Sequence, residues 1–316
     1  MKIFKVLKPG FFTTVQDLGR FGYLKYGVPI SGAMDTFSHT AANLIVGNDP
    51  ADACLEMTLI GAELQALART QIAVAGGEIS AKINDVEVSM WQTLNISEGD
   101  TVSFGRMRSG CRVYLAVRGG VDVPMVLGSR STYVHGGFGG VEGRQLRAED
   151  TVGGFKAPLV KRVAMPKKLI PKFANHVRAQ VIMGPQDDMF AEKGVETFLT
   201  NRYEVTLDAD RMGYRLEGSL IEHKDKADIV SDALLPGAIQ VPKSGKPILI
   251  MQDAQTTGGY PKIAVVTTPD LCLLGQAKPS DVIEFSKVTT KQAHKKVLKY
   301  RRLLDGLVGM FKQDSI

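Results

Sequence analysis

The chain has 316 residues, 44% hydrophobic and 23% charged, which supports one large or two medium domains with real cores and excludes wholesale disorder. Its formal charge of +6 is local: Lys287 to Ile316 hold eight Lys or Arg against two Asp, which leaves the preceding 286 residues neutral. That excludes a nucleic-acid groove, which needs basic residues spread over a face and interleaved with aromatics.

Cys54, Cys111 and Cys272 stand far apart beside apolar residues and read as buried free thiols rather than a disulfide framework or a CxxC metal site. The five histidines show no ligand spacing, so no metal is expected. No stretch approaches the ~20 apolar residues of a membrane span. Met1–Gly10 lacks the apolar region of a signal peptide. The expected location is the cytoplasm, off the membrane.

Short Val- and Ile-rich runs bounded by turn residues recur along the chain and predict strands. They are 71–75, 82–83 with 86–88, 101–104, 112–117, 180–183, 203–207, 247–251, 262–267 and 282–285. Three of the approaches share one pattern: Glu98-Gly-Asp-Thr-Val, Ala148-Glu-Asp-Thr-Val and Pro279-Ser-Asp-Val-Ile. Each sets an acidic turn residue directly before a β-branched run, as where a chain re-enters a sheet. Many short strands at such spacing suggest barrels or sandwiches.

Helices are few. Asp35 caps one whose apolar residues Phe37, Ala41, Leu44 and Ile45 keep a helical period, with Gly47 as the stop. A second is expected to start at Asp187 or Asp188 and to carry Met189, Phe190, Val195 and Phe198. From about Thr290 the pattern becomes a basic amphipathic helix, with Val297, Tyr300, Leu304, Leu307 and Phe311 on one side. It can serve for docking on its own protein, a partner or a membrane surface. Pro158, Pro166 and Pro171 among lysines mark a linker. The expected division is therefore a domain over 1–155, a linker over 156–175, a domain over 176–288 and a helical tail over 289–316.

Four segments hold more polar residues and glycines than turns require. In Thr13-Thr-Val-Gln-Asp-Leu-Gly-Arg, Asp17 and Arg20 read as a positioning ion pair or as a structural salt bridge at a capped turn. In Arg118-Gly-Gly-Val-Asp, Leu127-Gly-Ser-Arg-Ser-Thr and Gly136-Gly-Phe-Gly-Gly, a glycine loop reads as an anion nest or as a hairpin corner. Arg118, Ser129 and Arg130 are its candidate donors to an anionic oxygen. Asp210-Arg-Met-Gly-Tyr-Arg-Leu-Glu reads most simply as a solvated strand face, with a functional arginine as the alternative. In Asp253-Ala-Gln-Thr-Thr-Gly-Gly-Tyr-Pro, the residues Asp253, Gln255, Thr256, Gly258 and Gly259 sit where a carboxylate and amide would recognise a urea-like or lactam-like group, or where a hairpin turns. There is no phosphate-binding G-x-x-x-x-G-K-[ST], no dinucleotide G-x-G-x-x-G, no G-x-S-x-G and no Met-Lys-Met of a biotin carrier.

Taken in order, these segments, with Gly27-Val-Pro-Ile-Ser-Gly-Ala-Met-Asp, Ala42-Asn-Leu-Ile-Val-Gly-Asn and Pro236-Gly-Ala-Ile-Gln-Val-Pro, carry a resemblance over about Lys5 to Phe285. The chain resembles the biotin-dependent carboxyltransferase-like family, which holds the C subunit of 5-oxoprolinase, KipA and allophanate hydrolase subunit 2. The resemblance implies a mostly β fold of two cyclophilin-like β-barrel domains. It implies one component of an ATP-dependent 5-oxoprolinase, assembled with a KipI-like partner and a LamB/YcsF-like partner. ATP would be bound with or by those partners, and biotin would not be carried by this chain. Catalytic work would fall to Arg118, Ser129, Arg130 and Asp253, and substrate binding to Asp17, Arg20, Gln255, Thr256, Gly258 and Gly259. Carboxyl transfer to urea or a related amide, and KipA-type regulation of a KipI-like inhibitor, are the alternatives the same resemblance implies. The sequence departs from the pattern in its long basic tail and in Tyr133-Val-His-Gly after the serine turn.

Overall fold

The structure is a computed structural model that describes residues 1–313. Strands dominate and fall into two barrel-like sheets, with four α-helices among the described residues: α1 (Thr36–Ile45), α2 (Glu192–Thr200), α3 (Thr268–Leu274) and α4 (Thr290–Gln313). Backbone contacts divide the chain into two units. The first holds Met1–Phe21, Ser31–Phe173 and the chain from Leu303; the second holds Gly22–Ile30 and Ala174–Arg302.

In the first unit a ten-stranded sheet runs in the order Phe12–Gln16, Cys54–Thr58, Thr101–Val117, Glu63–Ala66, Lys2–Lys8, Thr151–Gly154 and Val121–Asp122. Thr70–Ile83 pairs along most of Thr101–Val117 and also holds Val86–Val88 and Leu94–Ile96. The expected runs 71–75 and 82–83 are one strand here, as are 101–104 and 112–117. The intervening polar and glycine residues bend the pair instead of ending it. The register shifts between Gly76 and Ala81, and Gly76 takes φ +122° with no room for a Cβ against the Arg112 carbonyl. The core is packed from Val6, Leu55, Leu64, Val74, Val113 and Leu115 and their neighbours.

The second unit is a closed barrel whose strands run His176–Met183, Lys262–Val266, Ala238–Gln240, Ile248–Ile250, Gly213–Gly218, Arg202–Val205 and Val282–Lys287. The last closes onto the first in parallel, while the other neighbours are antiparallel. Alternation sends Ala179, Val181, Tyr203, Val205, Tyr214, Leu216, Ile283 and Phe285 inward. Outside, Glu284 accepts from Arg202 Nε at 2.6 Å and Arg178 Nε at 3.0 Å, one on each flanking strand. The Arg202 hydrogen bond, first, holds the Glu284 carboxyl below its ordinary range.

The three acidic turn residues do one job. Asp100, Asp150 and Asp281 each accept the N–H of the residue three positions earlier, at 2.7, 2.7 and 3.0 Å, immediately before the strand begins. Asp35 caps α1 as expected, accepting from Ser38 N at 3.1 Å. The start of α2 differs from expectation: Asp187–Met189 is one 3-10 turn, and Phe190 is extended, bridging to His223 with rings 4.8 Å apart. Tertiary packing of that aromatic overrides the local helix signal. α3 was not expected. It begins at Thr268-Pro, and Thr267 donates its hydroxyl to Asp270 at 2.7 Å.

The expected linker is not free. Val160 exchanges two 2.8 Å hydrogen bonds with the Gln71 side chain, Pro158 O accepts from Arg118, Thr93 N donates to Val163 O at 2.9 Å and Met165 N donates to Trp91 O at 2.8 Å. Side chains of the first unit thus satisfy an extended proline-rich backbone, and residues up to Phe173 belong with it. The tail helix likewise docks on its own protein, at least along its first half. Lys296 Nζ reaches Asp270 at 2.5 Å and Tyr300 Oη lies 3.4 Å from Cys272 Sγ, both partners on α3.

Phe198 of α2 is fully buried and stacks on Phe285 at 4.9 Å. Phe198→Ala is expected to cost about 3–5 kcal/mol in urea unfolding. A loss near zero would show that α2 is not part of the barrel's core.

Candidate functional site

The sequence-predicted residues gather in two clusters, one in each unit. In the first unit, strand Phe12–Gln16 ends at Asp17, whose carboxylate collects the turn 129–131. Oδ1 accepts from Ser129 Oγ at 2.7 Å, Ser131 Oγ at 2.5 Å and Gly19 N at 2.8 Å, and Oδ2 accepts from Arg130 N at 2.6 Å. Arg20 grips the same turn by its carbonyls, with Nε on Val126 O at 3.0 Å and Nη2 on Ser131 O at 2.8 Å. Its guanidinium lies 4.9 Å from the centre of the Phe138 ring, and the residue is wholly buried. Asp17 and Arg20 therefore work as a positioning couple over a shared turn.

Ser129 is fully buried and its hydroxyl is committed to Asp17, which corrects its expected role as a donor to substrate. The glycine loop is a close-packed corner rather than an open anion nest. Gly139 has φ +75°, and a Cβ there would meet the Ser131 carbonyl at 2.0 Å. Arg118 is half-buried and spends its donors on Pro158 O, Val46 O and Gly47 O. Burial lowers its pKa, with the Asp52 charge opposing. Arg130 rests 5.1 Å from the Phe155 ring centre, and its Nε has no hydrogen-bond partner among the described residues. Of the three expected donors, Ser129 is fully committed, whereas Arg118 uses Nε and Nη1 on backbone carbonyls and Arg130 holds a buried Nε without a partner among the described residues. Burial raises the carboxyl of Asp52, which lies in the fields of Arg130 and Arg118.

Behind this turn lies a buried network. Glu56 Oε2 accepts from Tyr114 Oη at 2.8 Å and Met34 N at 2.9 Å, and Tyr114 Oη accepts from Asp35 N at 2.8 Å. His39 stands edge-on to Tyr114, with Nε2 3.2 Å from Gln16 O. Burial lowers its pKa, with the Asp17 charge the main opposing influence.

In the second unit, Asp253 is buried and bound in a fork by Arg211, Nε to Oδ2 at 2.8 Å and Nη2 to Oδ1 at 3.1 Å. Asp253 N also donates to Arg211 O at 2.8 Å. Both carboxylate oxygens are engaged, so Asp253 anchors the loop after it, which corrects its expected contact with an amide substrate. That loop edges a cavity of about 960 Å3, lined by Gln255 and Tyr260 together with Asp208, Asp210, Arg215 and Gln240. Strand alternation explains the lining. Tyr214, Leu216 and Leu249 enter the barrel core, while Gly213, Arg215, Ile248 and Ile250 face the cavity. Thr256 offers its carbonyl to Leu234 N at 2.9 Å and Gly259 its carbonyl to Ile229 N at 2.9 Å. Gly258 packs on the Gln240 amide, where a Cβ would come within 2.6 Å of Nε2. These three shape the loop, and Gln255 is the expected binding residue that lines the cavity.

Residues 26–287 match the family described as carboxyltransferase domain, subdomain A and B. The chain belongs to that family. It is 35% identical to the C subunit of 5-oxoprolinase from Escherichia coli (strain K12), across 92% of this chain and 93% of that protein. It is also 35% identical to urea amidolyase of Lachancea kluyveri, across 92% of this chain but 17% of that protein. The crystal structure of Kluyveromyces lactis urea carboxylase superposes with a TM-score of 0.92 at 33% identity, covering 97% of this chain and 29% of that one. The chain thus spans about a sixth to a third of the urea enzymes' length.

Sequence reading did not single out Asp52, and it held Arg211 only as an alternative and Ser131 only as a possible donor to an anion. Arg211 lies in the segment read as a solvated strand face, where alternating charges hide one buried member. Ser131 was legible as the repeat of Ser129 two residues on, on the same side of an extended turn. Among the described residues no group of three or more His, Cys, Asp or Glu is placed to hold a metal ion.

Two outcomes are expected. Asp253→Ala leaves the Arg211 guanidinium buried without its carboxylate and should cost about 3–5 kcal/mol, while Asp253→Ala with Arg211→Met should recover much of it. Additive losses in chemical denaturation would show that the pair is not coupled. Because the pKa of His39 is lower when folded than its unfolded value of about 6.5, the unfolded chain binds the proton more readily below that pH. Stability should fall as pH drops from about 7 to about 5, and His39→Gln should flatten that slope. An unchanged slope in the variant would exclude His39 as its source.

Proposed function

We propose that this chain is the C subunit of an ATP-dependent 5-oxoprolinase, opening 5-oxoproline to glutamate with a KipI-like partner and a LamB/YcsF-like partner. One observation carries the reading: 35% identity to a 5-oxoprolinase C subunit over 93% of that protein's length, whereas the urea enzymes hold most of their length outside the matched region. The cavity chemistry supports it. A lactam offers an N–H and a C=O on one edge, and the Gln255 amide can answer both. The Arg215 guanidinium is the cation of the lining and suits the substrate's carboxylate. Water adding to the lactam carbon would put charge on the former carbonyl oxygen before the ring C–N bond breaks, and fixed donors would stabilise that charge, with ATP hydrolysis driving the opening. ATP is bound with or by the partner proteins.

The second reading is carboxyl transfer to urea or a related amide, favoured by the close superposition on urea carboxylase. It requires a biotin-carrying partner, since this chain has no carrier motif.

Co-expression with the KipI-like and LamB/YcsF-like proteins, followed by an assay for glutamate formed from 5-oxoproline, separates the two. Expected is ATP-dependent glutamate that vanishes when this chain is omitted, and that Gln255→Ala lowers by about tenfold or more in kcat/KM. A stable complex without turnover, together with amide carboxylation when a biotinylated carrier is supplied, would overturn the oxoprolinase reading.

A further inference from the structure

Lys262 begins the strand that follows the cavity loop and is 4% exposed, an unusual burial for a lysine. Its ammonium reaches Asp232 Oδ2 at 2.6 Å and Ala233 O at 3.1 Å. Asp232 and Ala233 form a two-residue strand that pairs with Thr257–Gly258 and with no strand of the barrel. Gln186 braces the same point, accepting from Lys262 N at 3.2 Å and donating to Asp232 Oδ2 at 3.3 Å. On the other side of the loop, Gln240 Nε2 donates to Tyr260 O at 3.0 Å. The segment that carries Gln255 and Tyr260 to the cavity is therefore held between an ion pair and an amide.

We propose that Lys262 is a positioning residue: paired with Asp232, it latches the small two-stranded arm that sets Gln255 and Tyr260 at the cavity. Three features make the latch necessary. The two residue pairs of the arm, with one flanking backbone bond at each end, from Leu234 N to Thr256 O and from Ile229 N to Gly259 O, make a short hairpin that is marginal on its own. The side chain of Asp232 is half exposed while that of Lys262 is nearly dry, so the pair is anchored at the barrel end and free at the arm end. Lys262 also sits in the barrel sheet, where its backbone register fixes the ammonium relative to the wall. The role of the cavity in binding substrate rests on the proposed function; the latch itself does not.

The test uses the full chain. Hydrogen exchange is measured on the wild type, Lys262→Met, Asp232→Ala and the double variant. Each single variant is expected to speed exchange by about tenfold or more at residues 231–234 and 256–259, with the rest of the barrel unchanged and the double no faster than either single. Unchanged arm exchange, or effects that multiply in the double variant, would overturn the latch. Should Lys262→Met loosen the whole barrel, Asp232→Ala decides by whether exchange at the arm speeds more than exchange in the barrel, because it leaves the barrel residue Lys262 in place. In the reconstituted complex, Asp232→Ala should raise KM about tenfold with kcat retained, the signature of lost positioning in the ground state. A loosened arm with unaltered KM would overturn the positioning role, whereas an inactive wild-type complex would count against the oxoprolinase reading and leave the exchange result to decide the latch.

Discussion

The first unit turns on one buried carboxylate. Asp17 ends a core strand, and its two oxygens gather a backbone N–H and two hydroxyls from a turn more than a hundred residues away, along with Gly19 N. An ionised acceptor with several short donors is worth more than the same count of neutral hydrogen bonds, so the turn has one geometry. Arg20 adds the complementary half by taking the carbonyls that the carboxylate cannot. Everything nearby inherits that order: the glycine corner can approach only because Gly139 lacks a side chain, and Arg130 is aimed by its own backbone bond to Asp17. The same carboxylate charge reaches back to His39, so hub and buried network form one electrostatic neighbourhood.

The second unit solves a similar problem with a different pair. Asp253 also stands at the end of an apolar strand, but its partner is a guanidinium in a planar fork. A dry ion pair of this kind contributes less net stability than its geometry suggests, since both ions give up water. What it supplies is direction for the loop that begins at Ala254. In both units the carboxylates of the motif are spent on the protein's own turns, and Arg130 and Gln255 are carried by what those carboxylates hold.

How far the sequence revealed this depends on how local the cause is. The three Asp turns, the Asp35 cap and the basic tail helix were legible because each is settled within a few residues. The start of α2 was not, because Phe190 is claimed by His223 and that contact is distant in sequence. The linker reading failed for a related reason: proline and lysine composition says nothing of Gln71 and Arg118 waiting to receive its backbone. Asp17, Ser129 and Asp253 stand out in the sequence as special, yet their residue types alone do not say whether a carboxylate faces solvent or an arginine. That distinction needs the fold.

The balance of charge at the cavity narrows what can enter. Asp208 and Asp210 stand on its lining with Arg215 as the one arginine among the described residues there, so the rim is not a general anion trap. Asp210 is exposed and accepts from Met212 N at 2.7 Å and Gly213 N at 3.1 Å, which spreads its charge over the turn. Under the proposed function, a single carboxylate on the substrate would find its counter-charge at Arg215. A dianion would meet the aspartates and lose what the arginine offers. Under the proposed function, a small lactam with one negative charge would set its carboxylate at Arg215 and its amide edge at Gln255, two different parts of the same lining.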